Sequence, residues 1–218
     1  MQTRAALASV YACLGALEQG IETARLALAW AESHLPMLRP YVLATLAQIH
    51  LQSGNSAEAA AAADASEIDP ATSHPLSVIA AASAQCRLAL ARGDDARAIE
   101  VGGELLARLR EYGARPYIPD VLYWLGQAHL AGGQAGAARE RLLQARAEAE
   151  ALGSRHSLWP ILIALSELEA RCGNAAESQT LRGQAREIVD YIADHTGTPE
   201  LRASFLNLPD VRKVTSDG

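Results

Sequence analysis

"HLAGGQAGAARE", His129 to Glu140, sets a histidine and three glycines ahead of a charged, helix-forming segment. Such a stretch reads either as a loop that cradles phosphate or as a turn between two helices. A dinucleotide fingerprint needs GxGxxG directly after a strand, so that the pyrophosphate rests on the amides of the following helix. Here Ala131 holds the first glycine position, and residues 119–131 before the loop read as a helix. The turn reading stands, and it reaches along the whole chain.

Gly133 is one of five glycines, with Gly15, Gly54, Gly93 and Gly173, spaced by 39, 39, 40 and 40 residues. Aligning the segments on these glycines exposes further order. Eight residues before the glycine stand Leu7, Leu46, Gln85, Leu125 and Leu165, and seven before stand the small residues Ala8, Ala47, Cys86, Gly126 and Ser166. Five after it stand Gly20, Ala59, Ala98, Ala138 and Ser178; twelve after stand Ala27, Ser66, Leu105, Ala145 and Ala185. A helical hairpin accounts for each choice. The glycine ends the first helix because it adopts the left-handed conformation without steric cost. Small facing residues let two antiparallel helices approach, and the leucine fills the gap between them.

Start and stop signals fit the same scheme. Asn55 with Glu58 and Asn174 with Glu177 have capping-box spacing, and Asp94 or Asp95 can cap the third hairpin. Pro40, Pro75, Pro119 and Pro160 are expected at or just before the start of a first helix. Linkers are expected near 33–39, 69–75, 113–118 and 153–158. Thr198 caps a last short helix that Pro199 opens and that reaches about Asn207. The domain reading is an array over 1–195, in units of about 1–36, 37–74, 75–115, 116–155 and 156–195, then a short helix and tail over 196–218.

The register resembles the tetratricopeptide repeat family. "LASVYACLG" and its continuation "ALEQGIETARLA" put Leu7, Ala8, Tyr11, Gly15, Gly20 and Ala27 in the family's slots, and "LYWLGQAHLAGG" is the next best match. The likeness covers residues 2–195. The period exceeds the usual 34 residues, which calls for longer helices and lies nearer a HEAT array; the Leu–small, Gly and Ala register favours the tetratricopeptide fold. The family's tyrosine slot, four residues before the glycine, holds Tyr11, His50, Ala89, His129 and Glu169. The resemblance implies an all-α, right-handed superhelical solenoid of five helix-turn-helix hairpins with a C-terminal helix. The long repeat and the tail "TPELRASFLNLPDVRKV" resemble the C-terminal arrays of large bacterial signalling ATPases and transcriptional regulators.

The resemblance also implies a binding surface. In the family, inward residues lie thirteen, ten, six, three and two positions before the turn glycine. Carried over, these are Tyr41, Gln48 and Gln52 in the second unit, and Ser83 and Arg87 in the third. The fourth unit contributes Asp120, Tyr123 and Gln127, and the fifth Ile163, Glu167 and Arg171. Amides, two tyrosines and balanced charges in one groove suit an extended peptide or a partner helix. Arrays that clamp a chaperone's terminal carboxylate use Lys, Arg and Asn on these helices. Arg87 alone is basic in the middle of this groove, which discounts that mode.

Other functions find little support. The formal charge is −6 and the nineteen basic residues are dispersed, which disfavours nucleic acid and anionic membranes as partners. No apolar run approaches the roughly 20 residues of a membrane helix. "RAALASVYACLGAL" superficially resembles a secretion signal, but Tyr11 suits no cleavage site and the segment fits the first hairpin. Cys13, Cys86 and Cys172 are odd in number and far apart, which points to a reducing, cytoplasmic compartment. There is no GxxxxGK[ST], the only lysine is Lys213, and no HExxH or GxSxG occurs. His50 and His129 read as packed histidines, and Cys86 as core.

The reading is a non-enzymatic protein-interaction or regulatory module, with no cofactor and no metal. Its partner would be a protein or peptide, including other domains of the same parent protein. The alternative is a small-ligand sensor that controls an attached switch domain; catalysis is the remote alternative. The first helix starts within a few residues of Met1 without a polar cap, which implies a fragment of a longer protein and allows oligomers through the first hairpin.

Overall fold

The structure is a computed structural model that describes residues 2–66, 68 and 73–215, with backbone alone for 2 and 3. Most of the linker expected at 69–75, and the end of the tail, fall outside the described residues. Five hairpins follow one another: α1 (Gln2–Cys13) and α2 (Leu17–His34), α3 (Arg39–Gln52) and α4 (Ser56–Asp64), α5 (Pro75–Ala91) and α6 (Asp95–Glu111), α7 (Ile118–Ala131) and α8 (Ala135–Leu152), α9 (Arg155–Arg171) and α10 (Ala175–Asp194). Two short helices, α11 (Pro199–Leu206) and α12 (Pro209–Thr215), end the described chain. Short 3₁₀ turns at Pro36–Leu38 and Arg115–Tyr117 precede α3 and α7. The fold is all-α, as the sequence implied.

All five turn glycines adopt the left-handed conformation, with φ of 71°, 74°, 71°, 72° and 83° at Gly15, Gly54, Gly93, Gly133 and Gly173. Each closes the same backbone pattern. The residue after the glycine donates its N–H to the carbonyl five positions back: Ala16 to Tyr11, Asn55 to His50, Asp94 to Ala89, Gln134 to His129 and Asn174 to Glu169, at 2.8–2.9 Å. The glycine N–H bonds the carbonyl three back, as Gly133 does to Leu130 at 3.2 Å. These two bonds form a Schellman motif, which satisfies carbonyls the ended helix would leave open. "HLAGGQAGAARE" is one of five such turns.

Beyond each turn the small slots meet. A Cβ on Gly20 would approach the Ala8 carbonyl at 3.2 Å, and the Cys86 thiol reaches the Ala98 carbonyl at 3.5 Å. The Ser166 and Ser178 hydroxyls bond each other at 3.1 Å. Gly126 faces Leu142, whose Cγ lies 2.7 Å from where a Cβ would stand. Close approach requires these residues to be small, and each is buried or nearly so.

The chain divides into two compact bodies, 1–105 and 106–218. In the first, α3 packs on α2, α4 and α5. Its core is alanine-rich: Ala8, Ala12 and Ala24 lie under Leu46 and Ile49, while Ala44, Ala47, Ala63, Ala80 and Ala84 gather round Leu88. In the second body α7 pairs with α8 and α9 with α10, and α12 packs on α10 and α11. Leu122, Leu125, Leu142, Leu162 and Leu165 are buried there, as is Phe205, the only phenylalanine.

Four local expectations change. Pro160 lies inside α9 rather than at its start, because the left-handed Gly153 (φ 64°) and Ser154 already begin the helix at Arg155. Asn55 and Asn174 hold the N-cap positions without a side-chain capping bond, since the Asn174 amide turns to Glu169. Asp94 does cap: its Oδ1 accepts the Arg97 N–H at 3.1 Å. The described residues after Asn207, 208–215, form more than a tail. Phe205, Val211 and Val214 are buried, and that apolar anchoring makes 209–215 a second helix. Thr198 caps α11 as expected, accepting the Leu201 N–H at 3.3 Å.

Candidate functional site

The residues expected to face inward sit on the first helices of their hairpins, within the two bodies. In the first body Tyr41, Gln48 and Gln52 belong to α3, and Ser83 and Arg87 to α5. The Arg87 guanidinium donates to the Gln48 Oε1 at 3.2 Å and so ties the two helices together. Tyr41, Gln48 and Arg87 are half-buried, and Gln52 is exposed. Ser83 departs from the expectation: it is buried, because in an alanine-rich helix its neighbours approach closely enough to cover it.

In the second body four of the six expected residues line one hollow. Tyr123 and Gln127 from α7 and Ile163 and Glu167 from α9 border a pocket of about 320 Å³, with Trp159, Pro160 and Ala164 beside them. Asp210 and Lys213 of α12 complete its wall. These two form an ion pair at 2.7 Å. Bonding to the Asp210 carboxylate holds the Lys213 ammonium above the usual lysine range, and the Glu167 charge adds to it. Trp159 is buried and its Nε1–H has no hydrogen-bond partner, a donor aimed at nothing in the chain itself. The remaining two, Asp120 and Arg171, stand outside this pocket, half-buried at one end of α7 and exposed at the end of α9.

The pocket has features that the inward-position rule did not supply. Trp159 lies one position before the first inward slot and is one of three tryptophans in an alanine-rich chain. Asp210 and Lys213 come from a segment read as tail, although Lys213 stood out as the only lysine. An amide, a phenol, two carboxylates and an ammonium line the hollow together with Ile163 and Ala164. Among the described residues no group of three or more His, Cys, Asp or Glu side chains could hold a metal ion, and no helix is long and apolar enough to cross a membrane.

Solved structures of similar fold are numerous. A putative kinesin light chain of Podosopora anserina with nearly identical TPR-like repeats matches at a TM-score of 0.53 and 21% identity, covering 88% of this chain and 96% of that one. BtubC (BKLC) of P. vanneervenii matches at a TM-score of 0.62 and 18% identity, over 91% of this chain and 84% of that one. A Signal Transduction ATPase with Numerous Domains from Pyrococcus horikoshii, with a tetratricopeptide repeat sensor, matches at 0.66 and 15% identity. That match takes in 97% of this chain and 34% of the longer protein. No family model and no curated protein matches the sequence. At these identities the likeness concerns the fold alone, and the chain has the fold of the tetratricopeptide-like helical repeats.

Proposed function

We propose that the chain is a non-enzymatic interaction module that binds a peptide or partner segment along its first-helix face, as part of a larger bacterial signalling or transcriptional regulator working in the cytoplasm. The observation that carries this reading is the pocket that Tyr123, Gln127, Trp159, Ile163 and Glu167 line. Its mixed apolar and polar lining suits a side chain presented by a protein partner, including another domain of the same parent. The regulator context draws support from the sensor array of the similar ATPase. The free cysteines are in keeping with a reducing compartment. Leu7 and Val10 stand exposed on α1, so an oligomer formed through the first hairpin belongs to the same reading.

The test begins with peptides selected against the chain from a displayed library. Tyr123→Ala with Glu167→Ala is expected to weaken a selected peptide at least roughly tenfold, about 1.4 kcal/mol, while the melting temperature moves little. Undiminished affinity in that double variant would overturn the groove reading. The second reading, a small-ligand sensor, draws on the pocket's size, about 320 Å³, at the lower end of the ligand-pocket range. It predicts that selection yields no peptide dependent on Tyr123.

A further inference from the structure

Away from the first-helix face, a cleft of about 510 Å³ opens between the start of α2, the end of α3 and the start of α4. Ile21 and Leu26 give it apolar walls; Glu18, Glu22 and Glu58 bring three carboxylates, of which Arg25 balances one. His50 lines it as well. That ring is 8% exposed, and its Nδ1 has no hydrogen-bond partner. Burial lowers the His50 pKa against the opposing pull of Glu58.

The repeat supplies an internal comparison. His50 lies four residues before its turn glycine, Asn55 one after it, and Ile21 six after the preceding glycine. In the second body these three slots hold Glu169, Asn174 and Arg139. There the arrangement is complete. The Arg139 guanidinium reaches the Glu169 carboxylate at 2.8 Å, and the Asn174 amide donates to its other oxygen at 2.6 Å. Glu169 is buried by this cover. At the first junction an isoleucine replaces the arginine. His50 stands in the Glu169 slot, and the first cleft carries the carboxylates of Glu18, Glu22 and Glu58 without the guanidinium that the Arg139 slot supplies in the second body.

We propose that this first cleft is a binding site for a free small organic cation, a guanidinium or alkylammonium group on a short apolar stem. The cation takes the place that Arg139 holds in the second body: its N–H groups face Glu22 and Glu58, and the stem packs on Ile21 and Leu26 beside the His50 ring. The site is independent of the first-helix groove and survives or fails without it.

Agmatine, titrated into the full chain, is the probe; calorimetry and the His50 ring resonance are the readouts. The expected result is saturable one-site binding that shifts the His50 signal. Glu22→Gln with Glu58→Gln should weaken it at least roughly tenfold, and Glu187→Gln, on α10, should leave it unchanged. Ile21→Arg supplies the missing guanidinium in cis and should abolish binding with no loss of melting temperature. Three outcomes would overturn the proposal: no saturation, equal binding in the Ile21→Arg chain, or an arginine-containing tripeptide binding at least roughly tenfold more tightly than agmatine, which would assign the site to a protein side chain.

Discussion

Leu7 and Leu46 occupy the same place in successive hairpins, eight residues before the turn glycine, yet Leu7 is 42% exposed and Leu46 only 6%. Three residues on, Val10 is 51% exposed and its counterpart Ile49 only 1%. The difference lies in what precedes each helix. Leu46 and Ile49 rest on Ala8, Ala12 and Ala24 of the hairpin before them. Burial in this slot is therefore a property of the neighbouring hairpin. Leu46→Ala is expected to cost about 2–5 kcal/mol of stability and Leu7→Ala less than half as much, read from urea denaturation midpoints. Equal losses would mean that α1 carries its leucine in some other contact.

Glycines divide into three kinds that one substitution separates. Gly133 has positive φ and open space around it, so Gly133→Ala meets backbone strain of roughly 1–2 kcal/mol. Gly126 is crowded instead, with Leu142 2.8 Å or less from a new Cβ, so Gly126→Ala costs about 1–3 kcal/mol through overpacking. Gly103 lies within α6 with nothing near, and Gly103→Ala should stabilise by about 0.5–1 kcal/mol. Thermal unfolding of the three variants should rank them in that sense, with only Gly103→Ala above the parent.

Arg139 and Glu169 predict an asymmetry. Glu169 is buried, while the Arg139 side chain is half exposed. Arg139→Ala strands a covered carboxylate and is expected to cost about 1–3 kcal/mol. Arg139→Ala combined with Glu169→Leu should regain most of that loss, since no buried charge remains. A double-mutant cycle by chemical denaturation gives the coupling. Additive losses would show that the pair contributes nothing.

The cysteines should differ widely in reactivity. Burial pushes the Cys86 thiol up to about 12, while Cys172 is exposed. Only the thiolate attacks, so at pH 8 an alkylating reagent is expected to label Cys172 readily and Cys86 only after denaturant opens the core. Mass spectrometry of digested protein reads both. Rapid labelling of Cys86 in the native chain would contradict its packing against the Ala98 carbonyl.

The hairpin plan was legible in the sequence because its key positions admit few residues. A left-handed turn accepts glycine at little cost, and a close helix contact accepts only small side chains, so Gly15 to Gly173 and Ala8 to Ser166 announce themselves. Pro160 misled because proline marks a helix start only where no earlier signal acts, and Gly153 acts first. The capping box at Asn174 misled because its side-chain amide bonds Glu169 instead of the helix N-terminus. Helix α12 was hidden because it is held by tertiary burial of Val211 and Val214 rather than by local propensity. The pocket was half legible. Repeat register found Tyr123, Gln127, Ile163 and Glu167; Trp159, Asp210 and Lys213 came together only through packing.

Each turn closes through backbone bonds of one pattern, whatever side chains stand on either side of it. The residues four before and one after the glycine are Tyr11 and Ala16, His50 and Asn55, Ala89 and Asp94, His129 and Gln134, Glu169 and Asn174. Only the last two pairs join side chain to side chain, at 2.6 Å in both. The joint thus works as a socket of fixed geometry with interchangeable contacts. Variation there changes the side-chain contacts of a hairpin while the bend itself stays the same.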